Sequence, residues 1–290
     1  MANFKIGVMV DSFKLGFEAG LKKASEVGAQ GIQVYAIDGE MDPDRLSKTE
    51  AKEKLCAVKR FGLEVSALCG DLGGYGFAKE EDNAWKIEKS KKIVDLALEL
   101  ECRVVTTHIG SVPTDRNSRR YEVMQKACRT LSSYAQDCGV TFAVETGPEK
   151  AVTLAGFIED IGTKGIGVNF DPANLVMVTN DDPVKAVYTL GKYIVHTHAK
   201  DGVMLQSADP ADIYDVFAKG GIGDLRLEDY FREVPLGQGG VDFDAYLQAL
   251  RDIGYSGYLT IEREVGENPE ADIRLAVDFL KSRLCGVKGF

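Results

Sequence analysis

Glu145, Asp171, His198 and Glu262 are the residues of this chain whose types and spacing suit metal chemistry. Each closes a short aliphatic or β-branched run, in VTFAVE, GIGVNFD, YIVHTHA and GYLTIE. Three carboxylates and one imidazole gathered at a point suit a divalent ion that takes hard oxygen ligands and one nitrogen. Mn²⁺ is the first choice, and Mg²⁺, Co²⁺ or Zn²⁺ are compatible. Singly, each residue has an ordinary alternative. Glu145 or Glu262 could pair with a neighbouring Lys or Arg, and Asp171, placed before Pro172, could N-cap the next helix. The four together are harder to explain by packing, because crowded carboxylates repel unless a cation sits between them.

The chain has only three histidines. His108 ends the run CRVVTTH, where it can meet a substrate hydroxyl or carbonyl or serve as a core histidine. His196 stands two residues before His198, so it shares that residue's face of the strand and lies deeper, as a support beneath the site. Lys200, Asp201, Arg263 and Glu264 follow the last two ligand positions; they can read the hydroxyls or a phosphate of a substrate, or form an ion-pair network inside the barrel. Asp11, Gln33 and Cys69, at or near the ends of the first three runs, are weaker candidates for the pocket wall.

The elements that must position these residues alternate along the whole chain. Eight strand-like runs, FKIGVMV, GIQVYAI, LEVSALC, CRVVTTH, VTFAVE, GIGVNF, YIVHTHA and GYLTIE, are separated by amphipathic helix-like segments such as Asp82 to Leu100 and Tyr121 to Gln136. The runs are continuously apolar, as parallel strands buried on both faces are, and the β-α alternation implies right-handed crossovers. Glycines at 28, 62, 139 and 254 mark helix ends that feed strands. A single (β/α)8 TIM barrel over residues 1–290 follows, a fold of about 250 residues plus insertions whose reactive groups stand at the C-terminal strand ends. The stretch from Ala199 to a helix beginning near Asp242 is a long insertion after the seventh strand. Ile213, Tyr214, Val216, Phe217, Tyr230 and Phe231 are its apolar anchors, and a lid or a subunit contact is expected of it.

Composition narrows the function classes. A net charge of −10 and a pI near 5.0 oppose a nucleic-acid partner. No apolar stretch approaches the roughly 20 residues of a membrane span, and MANFKIGVMV lacks the layout of an export signal, so a cytoplasmic protein is expected. The six cysteines show no CxxC spacing and read as reduced structural thiols. The glycine groups GDLGGYG and GQGG lack P-loop or dinucleotide spacing and read as turns.

The segments FAVETGPE, GVNFDPANL, IVHTHAKDG, VPLGQGGVDF and GYSGYLTIERE, in that order, resemble the xylose isomerase-like sugar phosphate isomerases and epimerases. That group includes ketose 3-epimerases, inosose-processing enzymes and, more distantly, endonuclease IV. The resemblance covers nearly the whole chain and puts the family's metal positions on Glu145, Asp171, His198 and Glu262. It implies that Glu145 and Glu262 also act as the acid/base pair. One would remove the proton next to a carbonyl and the other return it on the opposite face, through a cis-enediolate stabilised by the metal. Where ketose 3-epimerases commonly carry a histidine three residues after the Asp ligand, this chain has Asn174. The arginine that follows their strand-seven histidine has no counterpart in AKDGVML. The expected substrate is a ketose, inosose or keto-glycoside, a small sugar or cyclitol, and a homodimer or homotetramer is expected. The competing readings are a metal-dependent lyase or dehydratase on the same scaffold, an endonuclease IV-like phosphodiesterase, for which the chain has too few histidines, and a non-catalytic sugar-binding barrel.

Overall fold

The computed structural model describes residues 4–219 and 226–285; the side chains of Ala211, Phe217 and Cys285 lie outside the described residues. All eight expected runs form strands, interrupted by two further strands in the insertion. In chain order these are β1 (Lys5–Met9), β2 (Gly31–Tyr35), β3 (Glu64–Cys69), β4 (Val104–Thr107), β5 (Thr141–Glu145), β6 (Ile166–Phe170), β7 (Ile194–Ala199), β8 (Asp201–Met204), β9 (Phe231–Val234) and β10 (Tyr258–Ile261). The parallel strands close into a barrel in the order β1-β10-β7-β6-β5-β4-β3-β2, while β8 and β9 pair as a separate antiparallel ribbon. Helices cover the outside, and the two clearest in the sequence run from Glu80 to Glu99 and from Arg119 to Cys138. Ser118 caps the second by accepting from the Tyr121 N–H, and Asp242 caps the helix Phe243–Asp252 by accepting from Ala245. Five cysteines, at 56, 69, 102, 128 and 138, are free thiols. No helix among the described residues is long and apolar enough to cross a membrane.

Two cores hold this arrangement. The larger packs the strands against the helices, with Val8, Ile32, Leu68, Phe142, Val168 and Leu259 all essentially inaccessible. A smaller one seats the insertion. Ile213, from the helix Pro210–Lys219, packs with Ala173, Met177 and Val178 from the segment after β6, with Tyr230 and Phe231 against them. The insertion is thus anchored to the C-terminal rim of the barrel, next to Asp171, rather than hanging free.

Candidate metal centre and substrate cavity

Parallel strands all end at one rim, so residues that close β5, β6, β7 and β10 become neighbours although they are far apart in sequence. These four strands are consecutive around the barrel. One potential ligand atom from each of Glu145, Asp171, His198 and Glu262 lies within 4.8 Å of every other, and all four residues are buried. The imidazole is central: Nδ1 stands 3.5 Å from Glu145 Oε1, 3.4 Å from Asp171 Oδ2 and 3.3 Å from Glu262 Oε2.

The far side of the ring sets its tautomer. Nε2 lies 3.0 Å from Gln33 Oε1, and Gln33 is itself oriented by donating from Nε2 to Thr106 Oγ1 at 2.8 Å. An N–H on Nε2 satisfies that carbonyl and leaves the Nδ1 lone pair facing the carboxylates, as a metal ligand requires. Asn169 completes the backing. Its Nδ2 donates to Glu145 Oε2 at 2.9 Å, and its Oδ1 lies 2.8 Å from His196 Nδ1.

Asp171 serves both readings made of it. Oδ1 accepts from the N–H groups of Ala173 (2.8 Å) and Asn174 (3.1 Å), capping the short helix Pro172–Asn174, while Oδ2 faces His198. Thr146 fixes the turn, with Oγ1 at 2.8 Å from both the N–H and the carbonyl of Asp171.

Charge is balanced tightly here. Burial opposes ionisation of Glu262, but Lys200 and His198 outweigh it and hold the carboxyl down at about 2. Glu145 is likewise held well below the carboxylate range, against its burial, by His198 and His108. Burial also opposes a charge on His198, and the Glu262 and Glu145 carboxylates reverse that, pushing the imidazole well up. A divalent cation would replace that proton as the counter-charge. An imidazole nitrogen with its proton directed elsewhere, facing three converging carboxylates, fits such an ion, and Glu145, Asp171, His198 and Glu262 are the residues that would hold it.

Above the cluster opens a cavity of about 250 Å³, walled by Tyr35, Cys69, Asp71, His108 and Lys200, with Ile213 and Tyr214 contributed by the insertion. The Tyr214 hydroxyl donates to the Gly74 carbonyl at 3.3 Å, bridging the insertion to the loop after β3. His108 lies at the wall with Nε2 3.4 Å from Glu145 Oε1. Asn174 also lines it, donating from Nδ2 to Glu145 Oε1 and to the Thr146 carbonyl, each at 3.2 Å. Lys200 donates to Glu262 Oε2 at 2.9 Å and to Glu264. His196 lies deeper, edge-on to His198 at 6.0 Å between ring centroids, with Nε2 3.0 Å from Thr260 Oγ1. Burial, reinforced by the charge on His198, depresses it to about 3, so it is neutral.

Two of the expected substrate contacts are engaged with other groups of the protein. Asp201 does not line the cavity: its carboxylate accepts from the N–H groups of Gly202 (2.9 Å), Gly237 (3.0 Å), Gly239 (2.9 Å) and Val241 (3.1 Å), tying down the GQGG turn. A Cβ at Gly239 would fall 2.1 Å from Asp201 Oδ1, which is why the turn approaches so closely only as glycine. Arg263 is absent from the wall as well, held by Asp272 Oδ2 at 2.8 Å and Glu233 Oε1 at 2.6 Å in the ion-pair network that was its alternative. Asp11 instead accepts from the Tyr35 N–H at 3.0 Å.

Asn169 was not singled out from the sequence, and Gln33 only as a pocket candidate. With Ser66, Thr106, His196 and Thr260 they form a buried polar layer across the barrel lumen, beneath the carboxylates. The available signal was a polar residue inside a continuously apolar strand, since such a group must find a protein partner once buried.

The family model described as the xylose isomerase-like TIM barrel matches residues 21–283. An uncharacterized protein of Methanocaldococcus jannaschii is 25% identical over 189 residues, covering 61% of this chain and 56% of that protein, a little over half its length. L-ribulose-5-phosphate 3-epimerase of Salmonella heidelberg is 25% identical over 279 residues, covering 91% of this chain and 88% of that protein. A solved xylose isomerase domain protein from Planctomyces limnophilus superposes with a TM-score of 0.79 at 28% identity, covering 97% of this chain and 96% of that one.

Proposed function

Since the chain belongs to the xylose isomerase-like TIM barrel family, we propose that it is a divalent-metal-dependent isomerase or epimerase that moves a proton next to the carbonyl of a keto-sugar or keto-cyclitol. The observation that carries this reading is the pair of carboxylates, Glu145 and Glu262, arriving from the two outer strands of the four ligand-bearing ones and so flanking His198. The name of the Salmonella relative, a ketose-phosphate 3-epimerase, supports the reaction class. A bound divalent ion would polarise the substrate carbonyl and offset negative charge developing on its oxygen.

The chain's own groups supply the rest. Glu145 and Glu262 are both held ionised, so either can accept a proton from a carbon placed between them. Asn169 fixes one oxygen of Glu145, and Asn174 and His108 approach the other; Lys200 fixes Glu262. These contacts keep each carboxylate aimed at its own face of the substrate. One glutamate removes the proton and later releases it to solvent; the other, having first taken a proton from solvent, delivers it to the opposite face, which inverts the carbon. Tyr214 and Ile213 cover the cavity from the insertion side and limit water at the reacting carbon.

The test is incubation of the Mn²⁺-loaded protein with keto-sugars in D₂O. Deuterium at the carbon next to the carbonyl with the carbon skeleton intact, lost in Glu145→Gln and Glu262→Gln, is the expected result. Loss of water or of an aglycone would replace epimerisation with elimination. Full metal occupancy in both His198→Ala and Glu262→Gln would overturn the assigned ligand set.

A further inference from the structure

Building on that reading, we infer that the cavity takes an uncharged polyhydroxy ketone and discriminates against its phosphate ester. The basis is the match between what the wall offers and what each ligand presents. Sugar hydroxyls are donors as well as acceptors, whereas a phosphate group is almost purely an acceptor and carries about two negative charges.

The wall is rich in acceptors. Besides the two glutamates of the metal cluster it carries the carboxylates of Asp71 and Glu264. Its lysine is already engaged: Lys200 directs its ammonium to Glu262 and Glu264, with Glu233 Oε2 at 3.8 Å. No arginine stands in the wall among the described residues. Arg263 is held by Glu233 and Asp272, and Arg120, whose Nε and Nη2 are buried without a hydrogen-bond partner, lies outside the lining. A phosphate ester would therefore bring its charge beside Asp71 and Glu264 with no uncommitted guanidinium or ammonium of the wall to receive it, and the wall's one imidazole, His108, is directed at Glu145 Oε1. A neutral polyol would donate its hydroxyls to the same carboxylates and rest its C–H faces against Tyr35, Tyr214 and Ile213.

The probes are free 2-ketohexoses and 2-ketopentoses, each paired with its terminal phosphate ester. The readout is the saturable rise in melting temperature of the Mn²⁺-loaded protein. We expect each ester to half-saturate at a concentration about tenfold or more above its parent, with the gap narrowing as salt is raised, because the term is like-charge repulsion near the cavity mouth. The double variant Asp71→Asn, Glu264→Gln should narrow the gap at fixed salt; Asn at 71 can still accept from the Gly73 N–H, which lies 2.9 Å from Oδ1. Esters that bind as tightly as their parents, or no saturable binding of any free keto-sugar, would overturn the inference. Deuterium exchange on the same samples separates it from the catalytic reading. Binding of free ketoses without exchange sinks the catalysis and leaves the selectivity standing, and exchange confined to the esters does the reverse.

Discussion

Replacing Gln33 by leucine tests whether the tautomer of His198, rather than the bare presence of its ring, is what makes a ligand. Gln33 Oε1 sits 3.0 Å from Nε2, and neither residue has accessible surface, so water cannot step in for the lost acceptor. Two routes are open to the variant. If Nε2 keeps its proton, a buried N–H is left alone at a cost of about 1–3 kcal/mol. If the proton moves to Nδ1, Asn169 Nδ2, 3.2 Å away, can donate to Nε2, but the nitrogen facing the carboxylates is then blocked. The first route lowers stability with or without the ion; the second weakens metal binding, because the proton must move back before the ion can bind, by up to the same 1–3 kcal/mol, roughly fivefold to 150-fold at about 1.4 kcal/mol per factor of ten. Gln33→Glu keeps an acceptor at the same reach and should bind the ion at least as well as the parent. Calorimetric titration with Mn²⁺ reads the affinity, and the circular dichroism spectrum and melting temperature confirm that both variants fold. A folded Gln33→Leu protein that binds Mn²⁺ with parental affinity would refute the orientation argument.

Other residues give independent checks. Asp201→Ala strips the acceptor from four backbone N–H groups and should cost about 2–4 kcal/mol of stability by denaturant unfolding. Mn²⁺ affinity should stay unchanged, because Asp201 is not part of the ligand set; a matching loss of affinity would place the turn in the site. Glu149 is buried, with Oε2 on the Val112 N–H at 3.2 Å and Oε1 unpartnered, and burial pushes its carboxyl up to about 7. The folded state thus holds this proton to a higher pH than the unfolded chain, so its contribution is intact below the ordinary value near 4.5 and is lost as pH rises through about 7. Glu149→Gln should therefore gain on the order of 2–3 kcal/mol over the parent near pH 8 and nothing near pH 4.5. A gap independent of pH would show that the carboxyl is solvated.

The barrel was legible because its signal is local and repeated: an apolar run and a helix eight times over, with a glycine turn between them at 28, 62, 139 and 254. Glu145, Asp171, His198 and Glu262 were legible for a related reason, since parallel strands all end at one rim and a polar residue closing an apolar run must arrive there. Asp201 and Arg263 obey the same rule and still point elsewhere. Besides the nearby Gly202 and Asp272, the partners that turn them away lie far along the chain, at Gly237 to Val241 for one and at Glu233 on β9 for the other. Asn169 escaped for the opposite reason. One amide in IGVNF looks like noise in a strand until Glu145 and His196 are known to flank it.

The lumen bridges also bear on how the cylinder stays shut. The first and last strands meet at the seam where Lys5 to Val8 pair with Tyr258 to Ile261. The ligand set occupies one half-cylinder, β5, β6, β7 and β10, while β2 to β4 mostly furnish the opposing cavity wall. Gln33 on β2 reaches across to His198, and Ser66 on β3 lies 3.4 Å from His196, so the halves are sutured through the interior as well as along the seam. A circularly permuted chain, with its old termini joined and new ones cut in an exposed helix-to-strand turn, keeps every one of these stitches. Separate half-barrels keep none, since each would carry buried amide, hydroxyl or imidazole groups with their partners on the other piece. The two halves are thus one cooperative body.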